Sequence, residues 1–133
     1  MKKIKPYITT DISNIAGHYN ENPPKFKNIK IMFDCLKFEF FIIGIADWKL
    51  DYWIDYKESY KNFIERGIVN RSPPGVKADK IIIMTAIKHG CLMLSNDNYY
   101  KDYPELFPSE SWFEEHIRKF DIINGELRII LPR

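Results

Sequence analysis

Short apolar runs of strand length alternate along this chain with stretches whose apolar residues recur at helical spacing, and this alternation constrains the fold more than any other feature. Phe40 to Ala46 is an unbroken apolar run, as a strand covered on both faces requires. Before it, Lys27 to Glu39 places Ile29, Met32, Phe33, Leu36 and Phe40 on one helical stripe. After it, Trp53 to Arg66 repeats the pattern with Trp53, Tyr56, Tyr60, Phe63 and Ile64, and Gly67 provides a stop. Tyr7 to Asp11 reads as a first strand, running into a polar loop through Asn22, Pro23 and Pro24. Ile68 to Arg71 reads as a third strand, Ala78 to His89 as a helix closed by Gly90, and Cys91 to Ser95 as the next strand. Such alternation predicts parallel strands joined by right-handed crossovers, with helices on both faces of the sheet.

The end of the chain reads differently. Ser111-Trp112-Phe113-Glu114 fits a capping box, opening a helix whose stripe is Trp112, Phe113, His116, Ile117 and Phe120. Asn124-Gly125 between the apolar runs of Asp121 to Leu131 is a strong hairpin signal. The expectation is one α/β domain over residues 1–133, three layers deep, with a mainly parallel sheet and a C-terminal β-hairpin.

Composition excludes more than it nominates. With 45% apolar and 15% aromatic residues the chain is globular and not disordered. A net charge of +2 does not by itself point to nucleic acid, although the first thirty positions hold six lysines (Lys2, Lys3, Lys5, Lys25, Lys27, Lys30) against Asp11 and Glu21. Cys35 and Cys91 lie in apolar segments without metal-site spacing, so they read as buried free thiols in a reducing compartment, or as a single disulfide. No apolar run is long enough to span a bilayer and no signal-peptide stretch follows the basic start. The expectation is a soluble cytoplasmic protein with no membrane partner.

Function is to be sought where strands give out, because an open parallel sheet places its site outside the carboxyl ends of its strands. Asp11, Asp47 and Asp97 each sit at such a position, and Asp79 opens a helix delivered to the same edge by the rigid Pro73-Pro74-Gly75 loop. Acids gathered there can hold a divalent cation that drives phosphodiester hydrolysis. Each also has a plainer reading: Asp11 as a turn cap, Asp97 as a helix N-cap toward Tyr103, and Asp79 as an acid favoured by the helix dipole. Lys77 either meets a phosphate or is solvated.

Tyr7-Ile8-Thr9-Thr10-Asp11-Ile12-Ser13-Asn14 resembles the strand-Asp-x-Ser/Ala-Asn opening of the NYN subgroup of PIN-like nucleases. Ser95-Asn96-Asp97-Asn98-Tyr99 is similar to their Ser-Asn-Asp signature, known from Regnase-type endoribonucleases and protein-only RNase P. Ala78-Asp79-Lys80-Ile81-Ile82-Ile83 resembles the family's Asp-containing helix, and Ile122 to Leu127 the closing hairpin of the Regnase-type domain. Order and spacing agree over nearly the whole chain.

The resemblance implies a PIN-like three-layer fold and a metal-dependent endoribonuclease using Mg²⁺ or Mn²⁺. Asp11, Asp79 and Asp97 would be metal ligands, with Asn14 as an orienting catalytic residue. Two positions depart from the family pattern. Ala78 stands where many members have a first acid of a pair, and Lys101 where some have an acid. Asp102 is adjacent to Lys101, but on a helix its side chain points about 100° away. Asp47 is a further candidate ligand from the neighbouring strand.

Substrate contacts are expected from cations and aromatics near the acids, in the pattern of single-strand binders. His18, Arg71, Lys77, Asn96, Tyr99 and Lys101 are the candidates, with Tyr19, Lys25 and Tyr100 beside them. Trp48, Tyr52 and Trp53 can form an aromatic platform, although Trp53 reads better as core. RNA is the expected partner, with selectivity resting on this domain, on a homodimer or on another protein. Two rival readings stand beside the nuclease. One is a catalytically weakened PIN-like domain that binds RNA or protein. The other is a phosphatase on a doubly wound sheet, which lacks support from any Asp-x-Asp pair or phosphate-cradling Gly-rich loop.

Overall fold

The computed structural model describes residues 4–131, apart from the side chain of Tyr19. Lys2, Lys3 and the Tyr19 side chain, which entered the expectations above, lie outside the described residues. Six strands form one sheet in the order β3-β2-β1-β4-β5-β6. These are β1 (Tyr7–Asp11), β2 (Phe41–Ala46), β3 (Val69–Arg71), β4 (Leu92–Leu94), β5 (Ile117–Ile123) and β6 (Glu126–Ile130). All pairings are parallel except β5 with β6. The expected α/β architecture is thus the observed one.

Alternation along the strands builds two cores. Ile42 and Ala46 of β2 face one side with Ile8, Leu94 and Phe120, while Ile43 and Ile45 face the other with Met93. The first core is covered by α1 (Ile12–Ala16), α2 (Phe26–Leu36), α3 (Leu50–Trp53) and α4 (Lys57–Glu65). The second is covered by α5 (Ala78–His89), α6 (Tyr99–Asp102) and α7 (Glu110–His116). Gly44 lets α1 settle on β2, since a Cβ there would lie 3.0 Å from Ile12 Cδ1 and 3.3 Å from the Ile68 carbonyl oxygen.

Several local expectations are corrected. The polar stretch after β1 holds α1, whose Ile12, Ile15 and Ala16 are fully buried at i, i+3 and i+4 spacing. The predicted helix over 53–66 is two helices, broken where Tyr56 takes a left-handed φ of 47°. The break is fixed from outside: the Asp55 amide donates to the Pro24 carbonyl at 3.0 Å, and the Asp55 carboxylate accepts from the Phe26 amide at 2.7 Å. Trp53, read as core, is 63% exposed as a result.

Toward the C-terminus, the cap of α7 is Ser109, whose Oγ accepts from the Trp112 amide at 3.0 Å, two residues before the predicted box. Helix α7 stops at His116, and Ile117 to Phe120 form strand instead, because Ile117 and Arg118 pair with Met93 and Leu94 of β4. The hairpin is as expected, with positive φ at both Asn124 and Gly125. Cys35 and Cys91 are free thiols, the first only half-buried. Among the described residues, no helix is long and apolar enough to cross a membrane.

Candidate metal centre

Strand β1 pairs with β2 on one side and β4 on the other, so the direction of winding reverses between β1 and β4. The crevice at such a switch point is where open α/β sheets place their ligands. Asp11 ends β1, Asp97 lies just beyond β4, and Asp79 occupies the first turn of α5. One carboxylate oxygen from each of the three lies within 4.8 Å of the other two.

Asp11 is the buried member, 3% exposed. Its Oδ1 accepts from the Asn14 amide at 3.2 Å, so it also caps α1. Its Oδ2 accepts from the Ser95 hydroxyl at 3.0 Å and from the Tyr99 hydroxyl at 2.5 Å. Burial nevertheless raises its pKa to about 6; these bonds oppose the rise and the Asp97 charge adds to it. Asp79 is half-buried, and its pKa is raised by burial and then by Asp97, with Lys77 acting against the rise. Asp97 is exposed, and its pKa is raised by partial burial and by Asp102. All three carboxyls are thus shifted toward the protonated form, chiefly by burial.

Asn14 ties the two sides of the crevice. Its Oδ1 accepts from the Asn96 amide at 2.9 Å, and its Nδ2 donates to Asp97 Oδ1 at 3.4 Å. The Ser95 hydroxyl also accepts from the Asp97 amide at 3.2 Å, which fixes the turn after β4. The helix cap in this turn is Asn98 rather than Asp97, leaving the Asp97 carboxylate turned toward Asn14.

Other candidates have different places. Asp47 lies outside the three-acid group, because its Oδ1 accepts from the Lys49 amide and its Oδ2 from the Ala78 amide at 3.3 Å. It thereby anchors the start of α5 beside β2. Asp102 is exposed on α6 and acts on Asp79 and Asp97 through charge alone. Ala78 is 3% exposed and packs in the second core.

Three residues expected to contact substrate have partners within the protein. His18 is 8% exposed, and its Nε2 lies 2.9 Å from Asp121 Oδ1, with the ring against Phe120. Tyr99 is 1% exposed and holds Asp11 instead of facing solvent. The Asn96 side chain accepts from the Phe120 amide at 2.9 Å, joining β5 to the turn after β4. Arg71 is exposed but pairs with Asp51 at 2.5 Å. Lys77 and Lys101 are exposed, Lys77 in a concavity beside the acids that Trp48, Lys49 and Asp79 also line. A larger concavity, lined by Lys5, Phe40, Phe41 and Ile68, sits at the opposite end of the sheet, away from every one of the three acids. Sequence reasoning missed the support given by Ser95 and Tyr99; Ser95 opens the Ser-Asn-Asp motif and Tyr99 follows it by two residues, and these two hydroxyls were the available signal.

The fold matches known structures. Two structures of the nuclear protein-only RNase P 2 of Arabidopsis thaliana superpose with TM-scores of 0.74 and 0.71, at 20% and 18% identity, each covering 96% of this chain. The chain has the NYN/PIN-like fold. It spans 30% of each of those longer chains. Among curated proteins, Proteinaceous RNase P 2 of the same plant is 26% identical over 80 residues, which is 58% of this PIN-like chain and 15% of that protein. No family model matches the sequence.

Proposed function

We propose that this PIN-like domain, spanning residues 1–133, is a metal-dependent endoribonuclease that hydrolyses phosphodiester bonds of single-stranded RNA inside the cell. The observation that carries the reading is the convergence of Asp11, Asp79 and Asp97 within 4.8 Å at the switch point of the sheet. Likeness to an RNase P in fold and in part of its sequence supports RNA as the substrate.

The donor set fits a hard cation. It is made of carboxylate oxygens, and the raised pKa of each acid means that a positive charge there relieves both burial and mutual repulsion. Asp11, Asp79 and Asp97 would hold Mg²⁺ or Mn²⁺, which when bound supplies activation of a water and stabilisation of the departing oxygen. The chain's own contribution is orientation. Tyr99 and Ser95 fix one oxygen of Asp11, and Asn14 aims Asp97 across the crevice. Lys77, exposed next to Asp79, would meet a phosphate of the RNA; its position in the same concavity supports this.

A weakened, RNA-binding member of the fold is the second reading, favoured by the presence of only three acids within the cluster and by Ala78 and Lys101 in place of acids. Cleavage of a labelled single-stranded RNA with Mn²⁺, Mg²⁺ or EDTA, beside Asp97→Asn, separates the two. Metal-dependent cutting lost in the variant supports the nuclease. Binding without cutting gives the second reading instead.

A further inference from the structure

The concavity beside the acids has a wall that metal binding does not use. Trp48 and Lys49 follow β2 after Asp47 and line it together with Lys77 and Asp79. The half-buried Trp48 ring meets Tyr52 edge-on, centroids 6.3 Å apart and planes at 85°, and the Lys49 ammonium lies 5.5 Å from the Trp48 centroid. Tyr52 is 65% exposed. Isolated surface aromatics need no explanation. Here two neighbouring rings are grouped with two cations on the rim of an acidic crevice.

The wall is also rigid. The Trp48 amide donates to Ser72 Oγ at 3.1 Å, and the Asp47 amide to Ser13 Oγ at 2.9 Å. Asp47 Oδ2 holds the amide of Ala78, the residue before Asp79. The Lys57 ammonium donates to the carbonyls of Asp51, Tyr52 and Ile54, which secures the helix carrying Tyr52. The backbone that carries both rings is therefore tied to the segment that carries Asp79, as a recognition surface requires.

We propose that Trp48 and Tyr52, flanked by Lys49 and Lys77, form a subsite that stacks an unpaired RNA base next to the scissile phosphate. The proposal rests on the reading of the three acids as an RNA-cleaving centre. Aromatic faces with neighbouring cations suit a base and its phosphate together. Bases in a duplex are stacked on one another and present only their edges, so this wall selects single-stranded segments. Charge complementarity favours RNA over a second copy of the chain, because Lys49 and Lys77 stand on this rim beside the two rings.

The test is anisotropy of a labelled single-stranded RNA and of the matching duplex, with Asp97→Asn as parent so that the RNA stays whole. Adding Trp48→Ala is expected to weaken single-strand binding about tenfold, with Trp48→Phe keeping most of it and duplex binding scarcely altered. A scan of RNAs each lacking one base, read with Trp48 intact, should find one position with a similar loss, and that loss should vanish in Trp48→Ala. The scan uses the parent protein, so a misfolded variant cannot imitate it. Unchanged affinity in Trp48→Ala, or no base whose removal matters, overturns the subsite. If Trp48→Ala instead abolishes self-association seen by ultracentrifugation and leaves RNA affinity unchanged, the face joins two copies and the subsite is likewise overturned. RNA bound with the expected pattern but never cut by the unaltered protein with Mn²⁺ refutes the nuclease and retains the subsite.

Discussion

The Tyr99 hydroxyl donates to Asp11 Oδ2 at 2.5 Å, joining a helix after β4 to the end of β1 through two side chains that are both almost wholly buried. The bond favours the ionised form of Asp11 and opposes the rise that burial causes. Tyr99→Phe removes it, so the Asp11 pKa moves further above about 6. The acid limb of a cleavage pH profile should then shift upward by about one pH unit, with activity recovering at alkaline pH. A variant that is equally impaired at every pH would show that Tyr99 acts only through packing.

Metal-free stability should fall as pH rises. Asp11 binds its proton more tightly folded than unfolded, so its contribution is full below about pH 4 and is lost as pH passes about 6. Asp79 and Asp97 change in the same direction. Differential scanning calorimetry should therefore find Mn²⁺ raising Tm more at about pH 7.5 than at about pH 5. An equal or reversed pH dependence would remove the acids from cation binding.

Asp97→Asn separates stability from activity. The substitution keeps an oxygen for Asn14 Nδ2 and removes a charge that disfavours ionisation of both Asp11 and Asp79. Tm in EDTA should stay level or rise, while the Mn²⁺-induced shift disappears and cleavage drops at least about 100-fold. A large loss of Tm in EDTA would mean that Asp97 is structural.

Asn14→Ala should lower cleavage by about 10- to 100-fold with a smaller effect on fold, since it frees the Asn96 amide and releases Asp97. Isothermal titration with Mn²⁺ should show weaker binding. Unaltered metal affinity would place the role of Asn14 on the substrate side.

His18→Ala is a stability variant. Loss of the contact with Asp121 and of packing against Phe120 should cost about 1–3 kcal/mol, with KM for RNA unchanged. Urea unfolding and steady-state kinetics on one preparation decide it, and a KM effect without destabilisation would return His18 to the substrate surface.

Elements with strong periodicity were legible in the sequence. The unbroken run before Asp47 became β2, and the segment closed by Gly90 became α5 with the predicted bounds of Ala78 and His89. Asp11, Asp79 and Asp97 could be nominated together because each stands at an element end on one sheet edge. What could not be read were effects of distant partners. Ile117 to Phe120 keeps a helical stripe but is drawn into β5 by Met93 and Leu94. Asp55 breaks a continuous helical pattern because residues 24 and 26 claim its backbone and side chain. His18 looked like a loop residue until Asp121, far along the chain, buried it.

The pairing of β1 with β4 sets Ile8 against Leu92, Thr9 against Met93 and Thr10 against Leu94. A slip of one residue would turn every side chain of β1 to the opposite face, carrying Asp11 away from Ser95, Tyr99 and its two fellow acids. The ligand set thus has no local precursor: it exists only once three separate segments have met in a single alignment. On the proposed reading, a cation held by all three acids would favour this register over its neighbours. A misaligned chain would lose the three-acid crevice and, with it, that hold.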